Sequence, residues 1–283
     1  MIRQKSFDRD EAAIYVVATP IGNLSEMTPR AIEVLQDVDV IAAEDTRNTV
    51  KLLHHFGIKT RLIAHHQHNE EHSADGIIHL LDEGKKVAIV SDAGYPLISD
   101  PGNILVKKAS IKGYPIIPVS GSNAMLNALV ASGMDTQHFL FYGFLNQQEK
   151  QRVKQLQTLK QIPYTIVFYE APHRILKMLK NCKEVLGDRE ICIARELTKR
   201  HEEFIRGTIS EILEVVDELK GELVVIVAGC SEQEHIDVDS VDIHKLIQTY
   251  IEQGMTTNTA IKTVAKEIGI SKNELYKQYH EEM

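Results

Sequence analysis

Between Ile14 and Val119 short apolar runs alternate with helical patterns, and that alternation admits few architectures. Ile14 to Ala18, Val40 to Ala43, Arg61 to Ala64, Val87 to Val90 and Ile116 to Val119 have the length and apolarity of strands. Pro29 to Val38, Asn48 to Phe56, His72 to Asp82 and Pro101 to Lys112 carry helical spacing. Thr28 and Pro29 open the first helix, and Gly57 closes the second. Strand and helix in turn predict a mostly parallel sheet with helices on its faces.

After Ser120 the pattern changes. Helices are expected at Asn123 to Ala131, Gln148 to Leu159 and Pro172 to Leu186. Strands are expected at His138 to Phe144, Thr165 to Tyr169, Ile191 to Arg195, Glu203 to Gly207 and Leu223 to Ala228. Thr208 with Glu211 forms a capping box. Strands that follow one another more closely in sequence predict a mixed sheet. The expected organisation is an α/β domain over residues 1–118, a second α/β domain over 119–230, and a linker with a small helical tail over 231–283. The acidic stretch Ser231 to Ser240 reads as the linker. Asp242 to Glu252, Thr257 to Ile268 and Ser271 to His280 read as three short helices, the last opened by a Ser271–Glu274 capping box. Ala260 to Ser271 has the look of a helix-turn-helix. Its second helix is not strongly basic, so sequence-specific reading of DNA is not expected.

Composition narrows the field. Cys182, Cys192 and Cys230 are the only cysteines in 283 residues; they lie far apart and form no C-x-x-C pair. That argues for a reducing, cytoplasmic setting without a disulfide frame or a cysteine zinc site. No apolar run is long enough to span a bilayer, and Met1 to Glu11 has no apolar signal core. His54, His55, His65, His66, His68 and His72 have no second ligand cluster beside them, and no metal site is expected. The net charge of −8 argues against a polyanionic partner. Yet Lys150 to Lys160 and Arg195 to Arg206 are locally basic, and local contacts decide phosphate affinity.

The chemistry-bearing segments sit at strand ends. There is no G-x-G-x-x-G, Walker loop, G-x-S-x-G elbow or H-E-x-x-H. Instead, Thr19-Pro20-Ile21-Gly22-Asn23-Leu24 follows the first expected strand, and Ala43-Glu44-Asp45-Thr46-Arg47 the second. Ser91-Asp92-Ala93-Gly94-Tyr95-Pro96-Leu97-Ile98-Ser99-Asp100-Pro101-Gly102 follows the fourth, and Ser120-Gly121-Ser122-Asn123-Ala124 the fifth. In a parallel sheet these ends share one edge and build one cleft. Asp100 before Pro101 reads as the N-cap of the following helix. Asp45 and Arg47 read equally well as a local ion pair.

Together these segments resemble the signatures of the tetrapyrrole methylase superfamily, and within it the members that methylate a ribose 2′-hydroxyl of a decoding-centre cytidine in small-subunit ribosomal RNA. Phe168 to Arg174, Ala194 to Lys199 and Glu202 to Gly207 continue the resemblance, which runs from Tyr15 to Gly229. It departs at Tyr95, where the family usually has a small residue, and at Ser120 to Asn123, where a Pro-Gly-Pro-Ser type of turn is usual.

The resemblance implies two α/β domains with S-adenosylmethionine in the cleft between them. It implies cofactor contacts from Pro20, Ile21, Gly94, Tyr95, Ile98, Ser99, Asn123, Ala124, Tyr169, Glu170 and Ala171. Activation of a ribose hydroxyl needs a base or a cation. Asp100, Glu170 and Lys199 are the candidates, with Glu196 and Arg174 also eligible. Arg47, Arg174, Arg195, Lys199 and Arg206 are expected to meet small-subunit RNA, and a homodimer is expected. Methylation of a tetrapyrrole ring is the alternative; the basic Arg195 to Arg206 stretch and the helical tail favour RNA.

Overall fold

A computed structural model of the protein describes residues 4–6, 11–66, 70–230, 243–252, 254–268, 275, 276 and 279. The Ser231 to Ser240 linker, His68, the Ser271–Glu274 capping box and the turn of the expected helix-turn-helix lie outside the described residues. The chain divides into two compact units, residues 1–229 and 230–283.

The first sheet of the larger unit comprises β1 (Ile14–Val17), β2 (Val40–Ala43), β3 (Arg61–Ala64), β4 (Val87–Val90) and β5 (Ile116–Val119). Their order is β3-β2-β4-β1-β5 and every pairing is parallel. β2 and β4 are buried along their whole length, as central strands covered on both faces must be. Period-two alternation sorts their side chains. Ala88 and Val90 face a core with Leu35 and Ile41, while Val87 and Ile89 face another with Ile77 and Leu105.

The connecting helices are α1 (Pro29–Asp37), α2 (Thr46–His55), α3 (Glu70–Asp82) and α4 (Asn103–Lys112), followed by α5 (Ala124–Ser132). Two of their starts follow from side-chain caps. Thr28 Oγ1 accepts from Ala31 N, and Asp45 Oδ1 from Arg47 N. Asp45 is thus both an N-cap and the ion-pair partner of Arg47, and α2 begins two residues earlier than its apolar pattern does.

One expected cap is replaced. Asp100 does not cap α4. The helix starts at Asn103 after Gly102, whose φ of +125° suits glycine. The freed amides of Gly102 and Ile104 donate instead to Glu70 Oε1 on α3, at 2.8 and 3.2 Å. That carboxylate at a helix N-terminus also opposes the helix dipole favourably.

The second sheet contains β6 (Phe139–Phe144), β7 (Thr165–Glu170), β8 (Glu190–Arg195), β9 (Glu203–Thr208) and β10 (Leu223–Val227), in the order β6-β7-β10-β8-β9. β6 runs parallel to β7 and the other pairs are antiparallel, so the sheet is mixed. One face packs on α6 (Glu149–Leu159), α7 (Ile175–Leu186) and α8 (Ile209–Leu213), with Phe168, Leu156 and Leu179 fully buried. The Thr208–Glu211 capping box opens α8. Ala128 and Leu129 of α5 cover the opposite face, against Val167, Cys192 and Ile226. Ile21, from the loop after β1, joins that same cluster and so places the first sheet's strand-end loops against the second sheet.

The smaller unit contains α9 (Ile243–Glu252) and α10 (Thr257–Ile268). Ile247, Ile261 and Val264 share a core with Leu275 and Tyr279, and the His244 ring stacks on Tyr279. Among the described residues no helix is long and apolar enough to cross a membrane, and no group of three metal-ligating side chains occurs.

Phe168 has no exposed surface and sits at the centre of the second sheet's core. Phe168→Ala is expected to cost about 3–5 kcal/mol through lost burial and the cavity left behind. A urea-unfolding midpoint that barely moves would contradict that packing.

Candidate active site

Backbone pairing assembles the site. The loops after β1 and β4 are joined by an antiparallel bridge in which Thr19 N donates to Gly94 O and Gly94 N to Thr19 O, at 2.9 and 3.0 Å. Thr19 Oγ1 adds a bond to Ser91 O. The loop after β5 joins them through Gly121 N, which donates to Tyr95 Oη at 3.4 Å. Tyr95 therefore reaches toward the Ser120 to Asn123 turn, and the two places where the chain departs from the family pattern meet each other. Asn123 caps α5 by accepting from Leu126 N.

The β4 loop is held in an uncommon conformation. Leu97 and Ser99 have φ of 72° and 69°, a region that L-residues other than Asn and Asp seldom occupy. Such backbone persists only where the surroundings over-determine it, and it concentrates at ligand sites. The tethers here are the Thr19–Gly94 bridge at one end and Glu70 at the other.

These loops and the second sheet enclose a cavity of about 400 Å³. Ile21 comes from the β1 loop; Gly94, Tyr95, Ile98, Ser99 and Asp100 from the β4 loop; Asn123 and Ala124 from the start of α5. The second sheet contributes Tyr169, Glu170 and Ala171 at the end of β7. Of the expected cofactor contacts, Pro20 alone lies elsewhere. It lines an adjoining cavity of about 340 Å³ that also contains Lys199.

Several cavity residues carry no clear signal in the sequence. Phe144, Glu222, Leu223 and Val224 arrive only through the β6–β7 and β8–β10 pairings, which link distant segments, whereas Leu197 lies in the Ala194 to Lys199 segment that the sequence does single out. Glu44 and Asp92 stand inside segments that the sequence does single out, at the ends of β2 and β4.

The cavity is acidic. Glu44, Asp92, Asp100, Glu170 and Glu222 line it, and no Lys, Arg or His does so among the described residues. Burial, reinforced by the charges of Glu44 and Asp92 and only partly offset by the Ser91 hydroxyl, pushes Asp100 up to about 7. Burial also raises Glu44, against the opposing amide of Asp92. Burial raises the Tyr169 hydroxyl as well, with the Asp100 charge acting in the same direction.

Glu170 is almost fully buried. Its Oε1 accepts from Ala171 N at 2.8 Å and pairs with Arg174 Nε at 3.0 Å. Its Oε2 is buried without a hydrogen-bond partner among the described residues, an acceptor that a ligand in the cavity would satisfy. Burial raises this carboxyl, and Ala171 and Arg174 oppose the shift.

The expected RNA-contacting arginines do not line either cavity. Arg174 is spent on Glu170 and on Leu145 O. Arg195 is bonded to Glu203 and Lys220 O. Arg206 donates to Ser132 O and Ala131 O, with its guanidinium over the Phe204 ring. Arg47 pairs with Asp45 while its side chain remains 86% exposed. Lys199 lies closest to the site. Its stem crosses Gly22, where a Cβ would stand 2.6 Å from Lys199 Cγ, and its Nζ reaches Glu196 and Glu222 at 3.1 and 3.0 Å. Burial works against its charge, but the two carboxylates outweigh burial and keep it protonated.

The raised Asp100 value has a stability consequence. The folded state binds this proton more tightly than the unfolded chain, whose aspartates titrate near 4, so the charged carboxylate costs stability increasingly as pH rises from about 4 to above 7. Asp100→Asn is therefore expected to melt at a higher temperature than wild type at pH 8, with the gap closing near pH 4. A gap of equal size at both pH values would remove the burial argument.

Comparison with known proteins agrees with this architecture. Residues 13–213 match the family described as Tetrapyrrole (Corrin/Porphyrin) Methylases. The chain is 48% identical to Ribosomal RNA small subunit methyltransferase I of Bacillus subtilis (strain 168), covering 98% of each chain. It is 45% identical to the protein of the same name from Halalkalibacterium halodurans, over 100% of both. Among solved structures, the methyltransferase CobJ superposes with a TM-score of 0.59 at 20% identity, covering 77% of this chain and 95% of that one, which bears on the fold alone. Two sheets meeting at an acidic strand-end cavity, a family match across both, and full-length identity near one half place this chain in the tetrapyrrole methylase family, in its ribosomal RNA small subunit methyltransferase I branch.

Proposed function

We propose that the protein transfers a methyl group from S-adenosylmethionine to the ribose 2′-hydroxyl of a cytidine in the decoding centre of small-subunit ribosomal RNA. The observation that carries the donor assignment is the cavity's charge. Five carboxylates and no basic group among the described lining residues suit a cationic ligand and disfavour a phosphate-bearing one. Apolar walls from Ile21, Ile98, Phe144, Leu197 and Val224 suit the faces of an aromatic base. Glu170 Oε2 offers the remaining acceptor. The names of the full-length relatives support RNA rather than a tetrapyrrole as acceptor.

When bound, S-adenosylmethionine supplies an electrophilic methyl carbon on a sulfonium. The protein's own groups do the rest. The tethered β4 loop fixes the donor side, so that alignment with the acceptor oxygen is set before reaction. Asp100, poised near neutrality, is the base that takes the hydroxyl proton. Lys199 stays protonated between Glu196 and Glu222 and presents positive charge toward the oxygen as it loses that proton.

Labelled S-adenosylmethionine incubated with small ribosomal subunits lacking the modification tests this reading. Label is expected in an RNA ribose, with Asp100→Asn lowering kcat by about 100-fold or more, as loss of a general base does. Transfer to a uroporphyrinoid and none to RNA would overturn it.

A further inference from the structure

Among the described residues, lysines enter the site only at the smaller cavity. That cavity shares Ile21, Asp92, Ala93 and Glu222 with the acidic one, so the two adjoin along a common wall. Its remaining walls include Asn48 and Lys51 on α2, and Lys199 from the loop after β8. Asn48 Nδ2 donates to Asp92 Oδ2 at 2.9 Å. This pair uses one amide hydrogen and one carboxylate oxygen. The amide carbonyl, its second hydrogen and the other carboxylate oxygen have no partner among the described residues. Lys51, one turn beyond Asn48, is exposed and enters no ion pair among the described residues. Asn48 and Lys51 sit on the outer surface of a helix whose core contacts are made by Thr49 and Leu53, so neither is needed to hold α2 in place.

We propose that this smaller cavity seats the acceptor nucleotide, with Asn48 and Asp92 reading the edge of its base and Lys51 meeting a neighbouring phosphate. The inference rests on the reading of the protein as an RNA ribose methyltransferase. Its volume of about 340 Å³ lies in the range of small-ligand sites. A base held there is out of its stack and is read along its Watson–Crick edge. The complement is chemical. The cytosine 4-amino group donates to the Asp92 carboxylate, and ring N3 accepts from the second Asn48 amide hydrogen. Uracil would set its O4 against that carboxylate. The ribose then lies toward the shared wall, between Lys199 and the donor cavity. The division of charge follows the division of ligands, with carboxylates alone around the cationic donor and lysines where the RNA backbone enters.

The test measures donor affinity by calorimetry and steady-state methylation of unmodified small subunits, for wild type, Asn48→Ala and Lys51→Ala, with melting temperatures as a check on folding. Asn48→Ala is expected to lower kcat/KM about tenfold or more, the scale of a lost base contact, while donor Kd stays within about twofold. Lys51→Ala is expected to raise KM and to reduce the log–log salt slope of kcat/KM by about one, the signature of one lost phosphate contact. On subunits carrying uridine at the target, wild type should lose more rate than Asn48→Ala does. Donor Kd weakening in step with rate in Asn48→Ala, or kcat/KM unchanged in both variants, would overturn the assignment. A wild-type protein that methylates no RNA defeats the underlying reading; wild-type methylation indifferent to both substitutions defeats this inference alone.

Discussion

The carboxylate of Glu70 on the amides of Gly102 and Ile104 determines how the rest of the site is used. A helix start must find acceptors for its first amides, and the residue just upstream usually supplies one. Here α3, the neighbouring helix on the same face of the sheet, supplies it. Asp100 is thereby released from capping and lines the cavity, where burial and the neighbouring Glu44 and Asp92 bring it close to neutrality. The same tether holds one end of a loop whose Leu97 and Ser99 occupy positive φ, while the Thr19–Gly94 bridge holds the other. A strained, doubly anchored loop presents its groups in fixed positions. That is the property a transfer reaction between two bound partners requires.

Electrostatics divides the site into two parts. The larger cavity gathers carboxylates contributed by both sheets, and the smaller one adds Lys51 and Lys199. Lys199 marks the border. It can cross Gly22 only because that residue lacks a side chain, and its ammonium is held between Glu196 and Glu222. The arrangement sets an acidic cavity beside one that carries lysines, in a protein of net charge −8. It also explains why bulk composition gives so little guidance to the partner.

Much of the architecture was legible in the chain because periodicity reports burial. The five strands of the parallel sheet, the mixed second sheet and the Thr208–Glu211 capping box all follow from local pattern. The strand-end motifs likewise led to the cavity, since parallel strands deliver their carboxyl ends to one edge. What local pattern could not reveal was tertiary competition. Asp100 and Pro101 form a good helix start by sequence, but a glycine at positive φ and a distant glutamate took that role. Arg174, Arg195 and Arg206 are expected from the resemblance to meet RNA, whereas carbonyl groups and carboxylates of the fold occupy them. Glu222 to Val224 reach the cavity only through antiparallel pairing of β8 with β10, which no motif announces.

The central claim is that a cationic donor binds beside a half-protonated Asp100. Proton exchange on binding tests it most directly, measured by calorimetry of S-adenosylmethionine in buffers of different ionisation enthalpy between pH 6 and 7. A positive charge placed next to this carboxyl must lower its affinity for its proton, so wild type should release a proton fraction that Asp100→Asn does not. Identical proton exchange in the two proteins, or net uptake by wild type, would contradict the account.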